Sequence, residues 1–259
     1  MVALDDQRCD PRERVLTQTP IYNTRMKHRA IAMQTIITIL ACTGIALAQV
    51  ASELGFTTMV NAGLTAAYAR KFGGEVPPRF ASWSQLAKEQ KAVPFSQALD
   101  AGKGREAEAL QLVNDAINQR VKWVDDQAHW QAIDYWATPA ESIATAGGDC
   151  EDFSIAKYYL LKELGVPLAR LRITYVRALK LNGQAHMVLA YYPQPGAEPL
   201  ILDNFDQRVR PASQRADLEP VYSFNDDEVQ LAKGTQLGKP SQIRAWLSVQ
   251  GRLVFESKL

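Results

Sequence analysis

A single cysteine lies among three acids at Asp149-Cys150-Glu151-Asp152, directly after Gly147-Gly148. A cysteine nucleophile needs a base that accepts its proton and a third group that orients the base. Three neighbouring carboxylates oppose the formation of a thiolate. The stretch therefore predicts either a small buried cysteine at a helix start or a nucleophile whose surrounding charge is neutralised.

The three acids have a structural explanation and a metal-binding one. Asp149 is a favourable N-cap residue, and Glu151 and Asp152 favour the start of a helix. Three carboxylates within four residues exceed what capping requires, and clustered carboxylate oxygens are typical ligands of Ca²⁺. The spacing is not that of an EF-hand loop. Calcium bound by Asp149, Glu151 and Asp152 would cancel the charge that opposes the thiolate.

A base and an orienting carboxylate are predicted on two neighbouring strands. His129 lies between helix and loop patterns and is expected to be a surface or packing residue, which leaves His186 as the candidate base. If residues 193–196 form a four-residue hairpin loop, His186 faces Asp203 directly, with Cβ atoms about 5 Å apart. A loop one residue longer or shorter would move Asp203 to the other face.

These residues predict a triad in which Cys150 attacks, His186 accepts the proton and Asp203 orients the imidazole. The helix start and a protonated His186 would both lower the pKa of the Cys150 thiol. The structural alternative is a buried cysteine and a strand histidine that is satisfied within the core.

The surrounding pattern is one of helices followed by strands. A short helix is expected over residues 83–91, and Gly73-Gly74, Pro77-Pro78 and Gly147-Gly148 are expected to be turns. Apolar residues three and four apart predict a second helix, and a capping box at Thr138 and Glu141 begins a third. The apolar residues of the second helix are Leu110, Val113, Ile117, Val121 and Val124.

A central helix follows from Asp149, buried on more than one side and ended by Gly165 and Pro167. Strands are expected over residues 170–176, 184–192, 199–203 and 221–224, with a turn at Asn182-Gly183 and a short final helix over residues 241–247. The order predicts an α+β domain in which a buried helix packs on an antiparallel sheet.

The first 48 residues differ from the rest of the chain. A basic run at residues 26–29 precedes an apolar run over residues 30–47 that ends in Ala-Leu-Ala, which is typical of a secretory signal peptide. We therefore expect residues 1–25 to be an upstream extension and residues 49–259 to be one exported domain. The alternatives are a retained membrane anchor and lipidation at Cys42.

Composition narrows the classes of function. The 259 residues carry a net charge of +1, which gives no indication of a polybasic nucleic-acid binder. Cys9 and Cys42 precede the expected domain, so Cys150 is its single thiol and an internal disulfide is excluded there. A redox function is not expected without a resolving cysteine.

Four segments resemble the bacterial transglutaminase-like cysteine peptidases: residues 134–139, 148–157, 185–189 and 202–204. The resemblance runs from about Leu110 to about Phe224. It implies a papain-like, transglutaminase-like α+β fold, the catalytic roles given above to Cys150, His186 and Asp203, and calcium binding by the acids at 149–152.

The resemblance also implies a biological setting. It suggests a calcium-dependent cysteine endopeptidase of the Gram-negative periplasm that cuts the N-terminal region of a large surface adhesin at a paired-alanine site. Cleavage would release the adhesin and disperse biofilm, and an inner-membrane receptor for cyclic di-GMP would sequester the protease. Two alternatives stay open: a protein-crosslinking transglutaminase, and a non-catalytic calcium-dependent binding module.

Overall fold

The computed structural model describes residues 60–92, 103–232 and 235–259. The expected extension and signal peptide at residues 1–48 lie outside the described residues, and so do Cys9 and Cys42. The described chain has an α+β fold in which helices precede and cover an antiparallel sheet, as predicted. Among the helices of this part of the chain, none has the length and apolarity that crossing a bilayer requires.

The helices come first along the chain, apart from one at the end. Their bounds are α1 Ala62–Phe72, α2 Val76–Ala92, α3 Lys103–Arg120, α4 Asp126–His129, α5 Pro139–Thr145, α6 Cys150–Glu163 and α7 Arg244–Glu256. Local chemistry fixes several ends. Thr138 and Glu141 form the predicted capping box of α5, and Gly165, with a φ of 88°, follows the end of α6.

The strands form one large sheet and one short ladder. Their bounds are β1 Lys122–Trp123, β2 Gly147–Gly148, β3 Leu171–Ala178, β4 Gln184–Tyr191, β5 Leu200–Leu202, β6 Arg210–Pro211, β7 Leu218–Phe224, β8 Val229–Leu231 and β9 Gln236–Gly238. The large sheet has the order β6-β5-β4-β3-β7-β8-β9 and is antiparallel throughout, whereas β1 and β2 pair in parallel.

Helix α6 is the centre of the core. Its buried side chains include Phe153, Ile155, Tyr158, Tyr159 and Leu160, which lie on more than one side of the helix, as predicted. One side packs on β3 and β4, and others contact α3 and α5. Burying apolar surface on several sides fixes both the depth and the rotation of α6, and therefore the position of its first residue, Cys150.

Several expectations about local structure are wrong or incomplete. The helix expected to include Val121 and Val124 is α3, and it ends before them at Arg120. The chain becomes extended after Arg120 because Lys122 N donates to Ala146 O and Val124 N donates to Gly148 O, both at 3.0 Å. The turn expected at Pro77-Pro78 and the helix expected over residues 83–91 are both parts of one longer helix, α2, whose first turn tolerates the two prolines. The final helix begins at Arg244, later than predicted, and extends to Glu256.

Gly147-Gly148 is a strand rather than a turn, and close packing explains its glycines. Neither residue has a positive φ. A Cβ on Gly148 would lie 2.5 Å from Asp152 Oδ2, and one on Gly147 would lie 2.9 Å from His129 Cε1. A side chain at either position would force His129 or Asp152 to move, so the glycines allow β2 to pass beside α4 and the start of α6.

The predicted register of the hairpin between β4 and β5 is wrong by two residues. Tyr191 pairs with Leu200, and residues 192–199 form a longer loop than the four residues expected. Continued outward, this register places Asp203 beside Val188 and Phe205 opposite His186. Because side chains alternate between the faces of a strand, a shift of two residues keeps Asp203 on the face of His186.

Candidate active site

His186 and Asp203 form a buried pair at the end of β5. His186 Nε2 lies 2.9 Å from Asp203 Oδ1, and the two residues are 2% and 1% exposed. The predicted pairing of base and carboxylate is therefore present, although the contact is diagonal rather than direct. Because Asp203 occupies Nε2, Nδ1 is the imidazole nitrogen that remains for another partner.

Asp203 is held ionised by its surroundings. Burial alone would raise the pKa of its carboxyl, but the hydrogen bond and charge of His186, the Phe205 backbone N–H and Arg215 together hold that pKa well below its usual range. Phe205 N donates to Oδ1 at 3.0 Å, and Arg215 Nη2 donates to Oδ2 at 2.7 Å. A charged Asp203 can orient the imidazole and stabilise its protonated form.

Cys150 is the first residue of α6 and is partly exposed. Its Sγ lies 3.1 Å from Glu151 Oε2, to which the thiol donates. Burial and the charges of Glu151 and Asp149 raise the pKa of the thiol well above its usual value, and a hydrogen bond from the Met187 backbone opposes this shift. Met187 follows His186 directly, so the structure brings Cys150 to the strand that carries the candidate base.

The carboxylates around Cys150 form a larger cluster than the sequence indicated. Ligand atoms of Asp126, Asp134 and Glu151 lie within 4.8 Å of one another, as do those of Asp126, Asp149 and Asp152. Asp126 is on α4 and Asp134 on the loop after it, so two segments converge on the predicted group. Neither residue was predicted, because Asp125-Asp126 and Asp134 resemble ordinary capping and loop acids in the sequence.

The cluster raises the pKa values of its own members. Burial and the charge of Glu151 raise the pKa of Asp149 to about 9, and burial and the charge of Asp149 raise that of Asp126 to about 7. Burial also raises the pKa of Glu151 to about 7. Each carboxyl therefore keeps its proton to a higher pH than an ordinary aspartate or glutamate does, unless a positive charge is present.

The donor set fits a calcium ion. Asp126 Oδ1 and Asp149 Oδ1 are buried and have no hydrogen-bond partner among the described residues. Asp152 differs, because its oxygens accept from the backbone N–H groups of Ala137 at 2.6 Å and of Asp149 at 3.3 Å. Hard carboxylate oxygens without partners are what Ca²⁺ requires. Asp126, Asp134, Asp149 and Glu151 are thus the residues that would hold it, and a second lone pair on an Asp152 oxygen would add a further ligand.

Helix α3 fixes the loop after β5 through a row of amide side chains. Asn118 Nδ2 donates to Asp203 O at 2.8 Å, and Gln111 and Asn114 donate to Gln207 O at 2.7 and 2.8 Å. Their spacing of three and four residues places them on one face of the helix. The helical spacing of these three amides, next to the apolar stripe of α3, is a sequence signal that could have identified them. Nothing in the sequence indicates a role for Arg215.

Two further titratable residues border the site. His129 Nε2 lies 2.9 Å from Thr145 Oγ1, and its ring packs beside Gly147, which confirms the predicted packing role.

Lys157 lies two turns after Cys150 on α6 and is 1% exposed. Burial lowers the pKa of Lys157 to about 7, against the charges of Asp203 and Asp115.

A nucleophile candidate at the start of a buried helix, beside a strand whose histidine pairs with a carboxylate after the next strand, defines the class of transglutaminase-like cysteine peptidase folds. The sequence profile of the bacterial transglutaminase-like cysteine proteinase (BTLCP) family matches residues 79–223. The chain belongs to this family, as its sequence motifs predicted.

Solved structures agree with this assignment. LapG of Legionella pneumophila is 38% identical over 74% of this chain and 96% of its own, with a TM-score of 0.60. The calcium-bound form of LapG is 39% identical over 73% of this chain and 97% of its own, with a TM-score of 0.59. The EGTA-treated form is 37% identical over 74% of this chain and 96% of its own, with a TM-score of 0.61. A search of curated proteins gave no match.

Proposed function

We propose that this protein is a calcium-dependent periplasmic cysteine endopeptidase that cleaves the N-terminal region of a large surface adhesin. The observation that carries the proposal is the buried His186–Asp203 pair, whose histidine lies on β4, the strand that Cys150 contacts through the Met187 backbone. A structural cysteine needs no oriented imidazole on a neighbouring strand. Membership of a cysteine proteinase family and the likeness to LapG support the same activity.

The chemistry follows from the groups present. His186 Nδ1 accepts the thiol proton, and the Cys150 sulfur attacks a peptide carbonyl carbon. His186 then donates that proton to the leaving amine, which departs as the peptide bond breaks and leaves a thioester. Water attacks the thioester with His186 as base, which releases the acid and restores the thiol. Asp203 keeps the imidazole in one tautomer throughout.

Calcium has a defined task in this proposal. Held by the five acids, it would neutralise the carboxylate charge that now opposes the Cys150 thiolate. Glu151 would then be drawn toward the ion rather than accepting from the thiol. The structure of a calcium-bound LapG supports this choice of ion for a member of the family.

The proposed setting is release of the adhesin from the surface of a Gram-negative cell, which disperses biofilm. An inner-membrane receptor for cyclic di-GMP would hold the protease when the nucleotide is abundant. The export signal expected before residue 49 supports periplasmic localisation.

One observation favours a second candidate, a non-catalytic calcium-dependent binding module. The thiol donates to Glu151, and its pKa is raised rather than lowered. The two candidates differ in what calcium does: it activates the thiol in the protease, whereas in a binding module the thiol stays inert.

The test combines thiol reactivity with product analysis. The alkylation rate of Cys150 is measured against pH for the wild type and for His186→Ala, each with calcium and with EGTA. The protease predicts a calcium-dependent thiolate titrating below the ~8.5 of free cysteine, lost in His186→Ala. A Cys150 thiol that is inert under all four conditions would exclude the protease and favour the binding module.

Recombinant N-terminal fragments of large surface proteins then serve as substrates, with Cys150→Ala as the control. Products whose masses sum to that of the substrate plus one water identify a protease. A cross-linked product that has lost ammonia would identify a transglutaminase instead.

A further inference from the structure

Phe205 lies directly beside the candidate base. The register of β4 and β5, continued past Leu202, places residue 205 opposite His186. The two rings pack at a tilt, with centroids 4.8 Å apart. Phe205 N also donates to Asp203 Oδ1, so the same residue contacts both members of the pair. Its position is therefore tied to that of the catalytic groups.

The outer face of Phe205 is open to solvent. The side chain is 53% exposed although its inner face covers the imidazole, whereas His186 and Asp203 are almost fully buried. A phenyl ring exposed to water is poorly solvated, so covering its apolar surface with a ligand contributes about 25 cal/mol of favourable free energy for each Å² buried. The exposed face is thus a surface on which an apolar group can bind.

The loop that carries Phe205 is fixed on both sides. Asn118 holds Asp203 O, and Gln111 and Asn114 hold Gln207 O, at 2.7 to 2.8 Å. Gln111 Oε1 also accepts from Val209 N at 2.8 Å. An aromatic ring on an ordered loop loses little entropy when it binds, which is the property of anchor residues at protein interfaces.

We propose that Phe205 is a specificity residue whose outer face binds an apolar side chain of the polypeptide next to the scissile bond. The inference rests on the proposed protease function and assigns a residue of this chain to substrate recognition. A charged side chain at that position would be desolvated against the ring and would be disfavoured. Phe205 would also exclude water from the His186–Asp203 hydrogen bond.

The test uses two alkylating reagents that differ in one apolar group, iodoacetamide and N-benzyl iodoacetamide. The rate of Cys150 modification is measured in the calcium-loaded protein, and each rate is divided by that of glutathione with the same reagent. A ring-on-ring contact predicts that the benzyl reagent reacts about three- to tenfold faster in the wild type. Phe205→Ala should reduce this ratio to near one, and Phe205→Trp should retain it.

The ratio of the two rates separates a contact between Phe205 and the benzyl group from an effect of Phe205 on the position of His186. Loss of packing on His186 would slow both reagents equally, so it cancels in the ratio. Phe255→Ala is the matched control, because Phe255 is 63% exposed on α7. An unchanged ratio in Phe205→Ala, or a wild type without preference for the benzyl reagent, would overturn the inference while leaving the protease proposal intact. A wild-type thiol that reacts with neither reagent would overturn both.

Discussion

Arg215 donates from Nη2 to Asp203 Oδ2 at 2.7 Å, on the carboxylate oxygen that His186 does not use. Arg215 is 4% exposed and also donates from Nε and Nη2 to Asp217, both at 3.0 Å. The imidazole, the carboxylate and the guanidinium thus form one buried chain. Arg215 at the far end of this chain fixes Asp203 in position as well as neutralising its charge.

Replacing Arg215 should impair both activity and stability. In Arg215→Met the buried Asp203 loses its permanent positive partner, and breaking a buried ion pair costs roughly 3–5 kcal/mol. We expect kcat/KM to fall at least tenfold and Tm to fall by several degrees, with Arg215→Lys intermediate. Arg177→Met is the control, because the Arg177–Glu219 pair is exposed and such pairs contribute about 1 kcal/mol or less. Equal losses in the two Met variants would contradict the assignment.

Asn118 should position Asp203 without contacting substrate. Asn118→Ala removes the donor to Asp203 O, which costs about 1 kcal/mol of stability and loosens the loop. We expect kcat to fall severalfold with KM nearly unchanged, because the carboxylate would no longer hold the imidazole in place. Gln119→Ala, at an exposed neighbouring position, should have no effect. A change confined to Tm would show that Asn118 is only structural.

Calcium should stabilise the fold, and more so at higher pH. Carboxyls whose pKa values are raised to about 7 and about 9 keep protons in the folded protein that the unfolded chain releases near pH 4. Without the ion, stability therefore falls as pH rises toward 9. Calcium replaces those protons, so its effect on Tm should increase between pH 6 and 9. At a hundredfold excess over Kd it is worth about 2.7 kcal/mol.

The calcium prediction has a matched pair of variants. Asp126→Asn should lose most of the calcium-dependent rise in Tm, because Asp126 Oδ1 has no other described partner. Asp125→Asn should keep that rise, since Asp125 lies outside the cluster and asparagine caps α4 equally well. Differential scanning fluorimetry with calcium and with EGTA measures both. Identical melting curves with and without calcium in the wild type would refute the site.

Glu256 should make stability depend on pH through a carboxyl that belongs neither to the candidate triad nor to the calcium cluster. It is 1% exposed, and burial raises its pKa to about 7 although Tyr68 and Thr138 donate to it. An acid whose folded pKa is raised loses stability as pH rises from its unfolded value near 4 to its folded value. A shift of this size corresponds to on the order of 3 kcal/mol.

Glu256→Gln tests this dependence directly. The variant cannot ionise, so the Tm difference from wild type should be smallest near pH 4.5 and should grow by several degrees up to pH 8. Glu219→Gln, at an exposed glutamate, is the control and should show no such trend. Parallel curves of Tm against pH for wild type and Glu256→Gln would show that Glu256 is already ionised at low pH.

The sequence by itself determined the local chemistry and the class of fold. The periodic spacing of apolar residues and the helix-capping residues identified α5, α6 and most of the strands, because both signals act within a few neighbouring positions. Cys150, His186 and Asp203 were predicted from residue type and alternation. The contact between His186 and Asp203 survived an error of two residues in the register because alternation has a period of two.

Only the tertiary structure decided which distant residues surround these groups. Arg215 reaches Asp203 across twelve positions that include the short strand β6, and Asp126 reaches Asp149 from another helix; neither spacing carries a periodic signal. The end of α3 at Arg120 was likewise set by pairing with Gly147-Gly148 rather than by helix propensity. Long-range packing chooses among local preferences that are each worth less than about 1 kcal/mol, and burial of the core around α6 outweighs them.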